Sequence, residues 1–373
     1  MVRNLVPGPI ASVPFRVLVP LALLTCFGAT VLYSAAGGSF STYSVSHLVR
    51  FGVFLVMALV ISRFPRDLVQ FAAYPLYGAI LLLLFAVEAI GAIGGGSQRW
   101  LDLGIVRLQP SEFMKPGIVL ALANFYHALP PGMTSSWRAL LPAAVLVGMP
   151  MGLVLLQPDL GTALAIGFGG VVVMFLAGLP IKWFAGGGIA AAVVAPLAYF
   201  FALHDYQRSR VTVFLDPESD PLGTGYHITQ SKIAIGSGGM IGKGFGQGSQ
   251  SHLNYLPEPH TDFVFATMAE EWGLVGGLLV LLVFGIVLRW GWTVARRAPD
   301  RFSSLLAGGM TATIFFYVAI NLLMVMGLAP VVGIPLPFMS HGGSSMMTNM
   351  ICIGTLMMID RWSRKAGGSG HFA

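Results

Sequence analysis

The chain has 373 residues, 55% hydrophobic and only 10% charged, with a mean hydropathy of +0.78 and a formal net charge of +6. A soluble domain carries about 25% charged residues, so a soluble globular fold is excluded. The basic excess does not mark a nucleic-acid binder either, because no basic tract interleaved with aromatics accompanies it.

A spanning helix needs roughly 20 mostly apolar residues to cross the hydrocarbon core. Ten such stretches follow along the chain, near 16–36, 47–64, 72–92, 111–129, 138–156, 160–179, 183–203, 263–288, 303–328 and 341–360. Lipid offers no hydrogen-bond partners, so long apolar runs without strict alternation are helices. The expected fold class is an all-α polytopic integral membrane protein of about ten transmembrane helices, with a large extracytoplasmic loop, 204–262, between helices 7 and 8. The first run is too long for a typical signal peptide and is read as retained. Lys/Arg placement puts both termini in the cytoplasm: Arg3, Arg16, Arg63, Arg66, Arg138, Lys182, Arg289, Arg296, Arg297, Arg301, Arg361, Arg364 and Lys365 then fall inside. Most of the remaining basic residues lie in or beside two outer segments, 93–115 and 204–262, where acidic residues also gather. Cys26 and Cys352 sit inside predicted spans and form no disulfide or metal-thiolate pattern.

Three polar clusters stand at the outer helix ends. In "GGGSQRWLDLGIVRLQPSEFMKPG", Ser111 is the expected N-cap, and Glu112 and Lys115 share one helix face. Lys115 lies where the apolar run begins, and an ionisable group inside a span is a functional candidate by default. In "LLQPDLGTA", Asp159 precedes an apolar helix, which suits an N-cap. In "NYLPEPHTDFVFATMAEEWG", Pro257 and Pro259 hold the approach extended, so a helix is expected to start at Thr261 or Asp262. Asp262 is then either a cap or a carboxylate fixed at the water–lipid boundary. At 100° per residue, Glu270 falls about 80° around that helix from Asp262, with Glu271 on the opposite face. The Gly-rich "GSGGMIGKGFG" fails as a phosphate loop because Ser237 and Gly244 occupy positions a Walker motif reserves for other residues. The weaker reading left to it is headgroup contact by Lys232 and Lys243. These residues describe a polar cavity open to the outer leaflet, with a desolvated carboxylate as candidate base and Lys115, Arg99, Arg107 and Arg210 as candidate partners of an anion. They leave enzyme and transporter equally open.

Longer motifs carry a resemblance. "YLPEPHTDFVFATMAEEWG" resembles the stretch around the catalytic aspartate of the SEDS family of peptidoglycan glycosyltransferases, and "NLLMVMGLAPVVGIPLPFMSHGGSS", 321–345, is similar to that family's long C-terminal motif. "QRWLDLGIVRLQPSEFMKP" and "LLQPDLGTA" match two further segments, so the resemblance covers the whole chain. The segment "FLDPESDPLGTGYHITQSKIAIGSGGMIGKGFGQGSQ" looks like the elongation branch rather than the division branch. One departure is His341, where tyrosine is expected. The resemblance implies polymerisation of lipid II on the outer face of the bacterial inner membrane, with a class B penicillin-binding protein as partner, docked on the lipid-facing sides of spans eight and nine. It implies Asp262 as general base and undecaprenyl pyrophosphate as leaving group. It also implies Glu112 and Lys115 as a polar pair lining the cavity, and Arg107 as pyrophosphate partner, ahead of Arg99 and Arg210. A divalent cation, Mg or Mn, is an expected aid whose ligands the sequence does not name. The rival classes are a lipid II flippase, for which Glu88 and Glu270 would matter most, and a non-catalytic scaffold.

Overall fold

A computed structural model of the chain describes residues 14–94, 97–102, 107–130, 132–201, 205–216, 220, 223–253, 255–256 and 258–368. Helices α1 (Phe15–Ala35), α2 (Ser44–Ile61), α3 (Arg66–Ile90), α4 (Pro110–Ala128), α5 (Trp137–Leu156), α6 (Leu160–Leu176) and α7 (Ile181–Phe201) come first. Three shorter helices follow, α8 (Asp205–Leu215), α9 (Thr224–Ser237) and α10 (Ser249–His252), and then the long α11 (Val264–Arg297), α12 (Arg301–Val325) and α13 (Gly343–Gly368). Among the described residues, α1, α2, α3, α5, α7, α11 and α12 are long and apolar enough to cross a membrane, and α6 is apolar but shorter. The protein is thus an all-α polytopic membrane protein.

Helices α4, α6 and α12 pack against one another at the centre, and α1, α2, α3, α5, α11 and α13 surround them. Without a hydrophobic force between helices in lipid, such contacts depend on close backbone approach, which small residues permit. Gly309 of α12 illustrates it: a Cβ there would run into Val119 of α4 and lie 2.8 Å from Val173 of α6. Helix α7 stands outside this core, with no buried side chain described. At the end of the bundle where α4, α6 and α11 begin, Ala92–Gly94, Ser97–Asp102 and Arg107–Leu108 form an antiparallel three-stranded sheet, β1–β2–β3, pairing Ala92 with Trp100 and Leu101 with Leu108. The described part of segment 93–115 is therefore a folded lead into α4. At the opposite end, Arg66 pairs with Asp300 at 3.2 Å, while Arg301 and Arg361 donate to the carbonyls of Ala177 and Phe64.

Helix α11 is broken at Gly273, where φ is 62° and ψ is −158°, a region open essentially to glycine. Nine residues below the helix start, the break lies about 14 Å down the axis, where backbone groups need protein partners. The Gly-rich segment supplies them. The N–H groups of Lys243 and Gly244 donate to the Glu270 and Glu271 carbonyls at 3.0 and 3.1 Å. The Leu274 and Val275 N–H groups donate to Gly239 and Met240 at 3.0 and 3.2 Å. Lys243 Nζ also lies 2.6 Å from the buried Glu270 carboxylate, so its charge is matched within the fold, contrary to a headgroup role. Glu271 accepts from Ser34 and sits 3.5 Å from His252. Both glutamates thus pin the 204–262 segment to α11. Gly273→Ala would set a Cβ 2.7 Å from the Met240 carbonyl and 2.8 Å from the Ile241 N–H. It is expected to destabilise the protein by at least about 2 kcal/mol. A thermal unfolding midpoint in detergent equal to that of wild type would refute this.

Candidate functional site

A cavity of about 420 Å³ opens between the starts of α4, α6 and α11, the sheet, and the 327–342 loop. Among its walls are Arg99, Trp100, Gln109, Glu112, Lys115, Asp159, Asp262 and Tyr317. The fold therefore brings together four of the six residues singled out from sequence: Asp262, Glu112, Lys115 and Arg99. Arg210, on α8, lies close enough to Asp262 to act on its ionisation. Arg107 opens β3, and its side chain falls outside the described residues, as does Pro257.

Asp262 is not a helix cap. The helix starts two residues later, with Phe263 in the N-cap position and no side-chain cap bond. Pro259 and the turn that follows leave the carboxylate half-buried and turned to the cavity, while its backbone carbonyl accepts from Asn321 Nδ2 at 2.9 Å. The same amide nitrogen donates to the Ile334 carbonyl at 2.8 Å, so Asn321 ties the Asp262 turn, α12 and the 327–342 loop to one point. Burial pushes the Asp262 carboxyl up to about 6; Glu258 adds to the rise and Arg210 opposes it.

Glu112 and Lys115 do pair, though not at a surface. Helix α4 is capped from Gln109 with Pro110 at its first position, which places Ser111 inside the first turn and not at the N-cap. Both charged groups are thereby drawn into the bundle, where Lys115 Nζ lies 2.6 Å from Glu112 Oε1 and 2.7 Å from Tyr317 Oη. Tyr317 and Thr348 both donate to Glu112 Oε2. The pair is a satisfied neutral floor, so Lys115 brings no free positive charge to an anion. Asp159 caps α6 as expected, accepting from Thr162 N–H at 3.1 Å, and also faces Arg99 at 3.7 Å and Gln109 at 3.4 Å. Arg99 further donates to the carbonyls of Gln157 and Pro158. Of the three carboxylates lining the cavity among the described residues, Asp262 has neither a described cation within ion-pair distance nor a role in capping a helix.

Tyr317, Asn321 and Thr348 escaped the sequence reading. A signal existed for the first two: polar groups four residues apart within an apolar helix, at 317 and 321, share a face. No group of three or more metal-ligating side chains occurs among the described residues.

The model of the FtsW/RodA/SpoVE family, described as cell cycle protein, matches residues 15–365. The chain belongs to this family. It is 45% identical over 348 residues to the peptidoglycan glycosyltransferase MrdB of Escherichia coli, covering 93% of this chain and 92% of that protein. It is 40% identical over 287 residues to the stage V sporulation protein E of Bacillus subtilis, covering 76% and 77%. Among solved structures, it resembles the Thermus thermophilus rod shape determining protein RodA with a TM-score of 0.70 and 31% identity, over 93% of this chain and 96% of that one. A chain from a structure describing how a peptidoglycan synthase complex coordinates polymerization and crosslinking gives a TM-score of 0.81 at 33% identity, over 94% and 98%. As a member of the family, the protein is a RodA-type, membrane-embedded peptidoglycan glycosyltransferase.

Proposed function

We propose that this glycosyltransferase polymerises lipid II at the polar cavity, with Asp262 as the general base. In this reading the Asp262 carboxylate takes the proton of the acceptor's 4-hydroxyl. The freed oxygen forms the bond to the anomeric carbon from the face opposite the diphosphate, and the C1–O bond breaks with its electron pair leaving on undecaprenyl pyrophosphate. The product is inverted at that carbon. The observation that carries the assignment is that Asp262 alone among the cavity carboxylates is left for the substrate, in a setting that raises its pKa toward the working pH.

Arg210 is the cation suited to face the diphosphate, with Arg99, shared with Asp159 at 3.7 Å, beside it at the cavity and Arg107 of β3 as a further candidate. Glu112 and Lys115 support the reaction as a polar floor. A divalent cation, Mg or Mn, fits these residues only through one carboxylate, Asp262, together with the substrate's phosphates and water, a set Mg accepts; it would supply charge neutralisation of the leaving diphosphate. An apolar groove of about 580 Å³, flanked by α3, α4 and α13 and reaching Leu108 and Phe113 beside the sheet, suits an isoprenoid tail.

The assembly we infer has ten spans, both termini in the cytoplasm of a bacterial cell, and the cavity facing the periplasm across the inner membrane. The basic residues at the far end of the bundle support that orientation. A class B penicillin-binding protein is the expected partner, and α11 offers the broad exposed face for it, with Leu274, Leu278 and Leu282 outward; α12 is mostly buried. The flippase reading relied on Glu88 and Glu270, yet Glu88 is exposed on α3 and Glu270 is bonded to Lys243.

Reconstituted with labelled lipid II, the protein is expected to yield long glycan strands; a folded sample that only moves lipid II between leaflets would reinstate the transporter. The pH profile is a second check. Asp262 must be ionised to accept a proton, so kcat/KM should rise roughly tenfold per pH unit up to a limb near pH 6. A flat profile between pH 5 and 7 would contradict a base with this environment.

A further inference from the structure

Beside the cavity, rings from three parts of the chain meet in a cluster that the transfer chemistry does not use. Tyr43, just before α2, stacks on His260 with centroids 4.2 Å apart and planes within 8°. His341, before α13, tilts against Tyr43 at 5.1 Å and against His260 at 6.5 Å. Its backbone N–H donates to the His260 carbonyl at 2.8 Å. Arg50 of α2 reaches in with Nη1 3.2 Å from His341 Nε2.

That last contact dictates the protonation pattern. A guanidinium has donors and no acceptor, so His341 Nε2 must accept and the ring proton must sit on Nδ1. The ring is therefore neutral. Burial, with Arg50 adding to it, pushes the His341 imidazole down to about 4, and burial also lowers His260. The other groups facing the cluster are His47 of α2, whose Nε2 is bonded to the Phe338 carbonyl at 3.1 Å, and Glu258, 3.6 Å from His260, with Asp262 beyond.

The turn that this cluster grips needs holding. Glu258 has φ of 48°, a left-handed conformation that favours glycine. Such residues persist where their surroundings over-determine them. The turn closes with Thr261 N–H on the Glu258 carbonyl at 3.1 Å, and Asp262 is the next residue. Asn321 holds its far side through the Asp262 carbonyl, and the ring cluster holds its near side through His260.

We propose that His341, anchored by Arg50 and packed on Tyr43 and His260, is a positioning residue that fixes the 258–262 turn and so places the Asp262 carboxylate. The proposal rests on Asp262 being the base, and it gives a function to the residue at which the chain departs from the expected tyrosine. His341 touches no reacting atom; it acts through the turn.

The test uses the full-length protein in lipid vesicles, with His341→Ala, His341→Tyr and Arg50→Met. Three readings are taken: amide hydrogen exchange over 258–263, kcat and KM for lipid II, and the acid limb of the pH profile. In His341→Ala, exchange across the turn should quicken several-fold, and kcat should fall about tenfold to a hundredfold at little-changed KM. The acid limb should move below pH 6, because a loosened turn hydrates the carboxylate. His341→Tyr keeps a ring and an oxygen acceptor for Arg50, and should restore all three. Arg50→Met leaves every ring in place and should move the limb the same way, which covers the case of a poorly folded His341→Ala. Unchanged exchange and an unmoved limb in His341→Ala or Arg50→Met would overturn the proposal, as would a rate loss with the limb still near pH 6. Exchange does not depend on catalysis. If Asp262→Asn were fully active while His341→Ala still loosened the turn, the base assignment would fall and the clamp would stand.

Discussion

Asp262→Asn and Asp262→Ala are each expected to lower lipid II polymerisation by about 10²- to 10⁴-fold, the contribution of a positioned general base. The isosteric Asn keeps the shape of the side chain and its neighbours, so a loss in that variant isolates proton acceptance from packing. Both variants should fold and assemble as wild type does. The turn is held by the Asp262 carbonyl bonded to Asn321 and by the His260–His341 contact, neither of which involves the carboxylate. The measurement is strand synthesis by the protein with the proposed penicillin-binding partner, that partner's transpeptidase blocked by a β-lactam. Equal product from wild type and Asp262→Asn would remove the carboxylate from the mechanism. The raised pKa has a stability counterpart. The folded state holds the Asp262 proton to about 6 while the ordinary value is 3.8, so its contribution to stability is greatest at low pH and declines as pH climbs through that window.

Glu112→Gln is expected to lower stability by about 3–5 kcal/mol, because it leaves the buried Lys115 ammonium without its counter-charge. Lys115 is 2% exposed, and the other group bonded to its Nζ is the Tyr317 hydroxyl, which cannot replace a charge. The double variant Glu112→Gln with Lys115→Met should recover much of that loss, since it removes the orphaned charge as well. A double-mutant cycle on unfolding midpoints reads the coupling directly. Additive losses would mean that the two groups are solvated separately and that the neutral floor does not exist.

Much of the architecture was legible residue by residue. A stretch of about twenty apolar residues has to be a helix in lipid, whatever surrounds it; a described helix overlies each hydropathy stretch, although α3 begins six residues earlier and α11 and α13 run on nine and eight residues past the expected edges. Asp159 read correctly as a cap because capping is local: the carboxylate and the Thr162 N–H it accepts from are three residues apart. The same local logic misplaced the Ser111 cap and started α11 two or three residues too early, at Thr261 or Asp262. Pro110 at the first helical position moved one cap back to Gln109, and the closed turn after Glu258 moved the other forward to Phe263. A helical wheel put Glu270 and Glu271 on different faces of one continuous helix. The break at Gly273 and the returning Gly-rich segment instead buried both against Lys243 and Ser34.

By itself, then, the sequence determined that this is a multi-pass membrane protein, where its apolar spans lie, and which ionisable residues crowd one set of their ends, because each of those properties depends on hydrophobicity over one short window. Only the tertiary structure decided which of the crowded groups stays available. Glu112 is neutralised by Lys115 on its own helix, but its remaining partners, Tyr317 and Thr348, come from helices more than two hundred residues away in sequence. Arg99 is drawn to Asp159 by the sheet that precedes α4. A carboxylate's charge state depends on what desolvates and faces it in space, and those neighbours are set by how the helices pack; that packing leaves Asp262 facing the cavity.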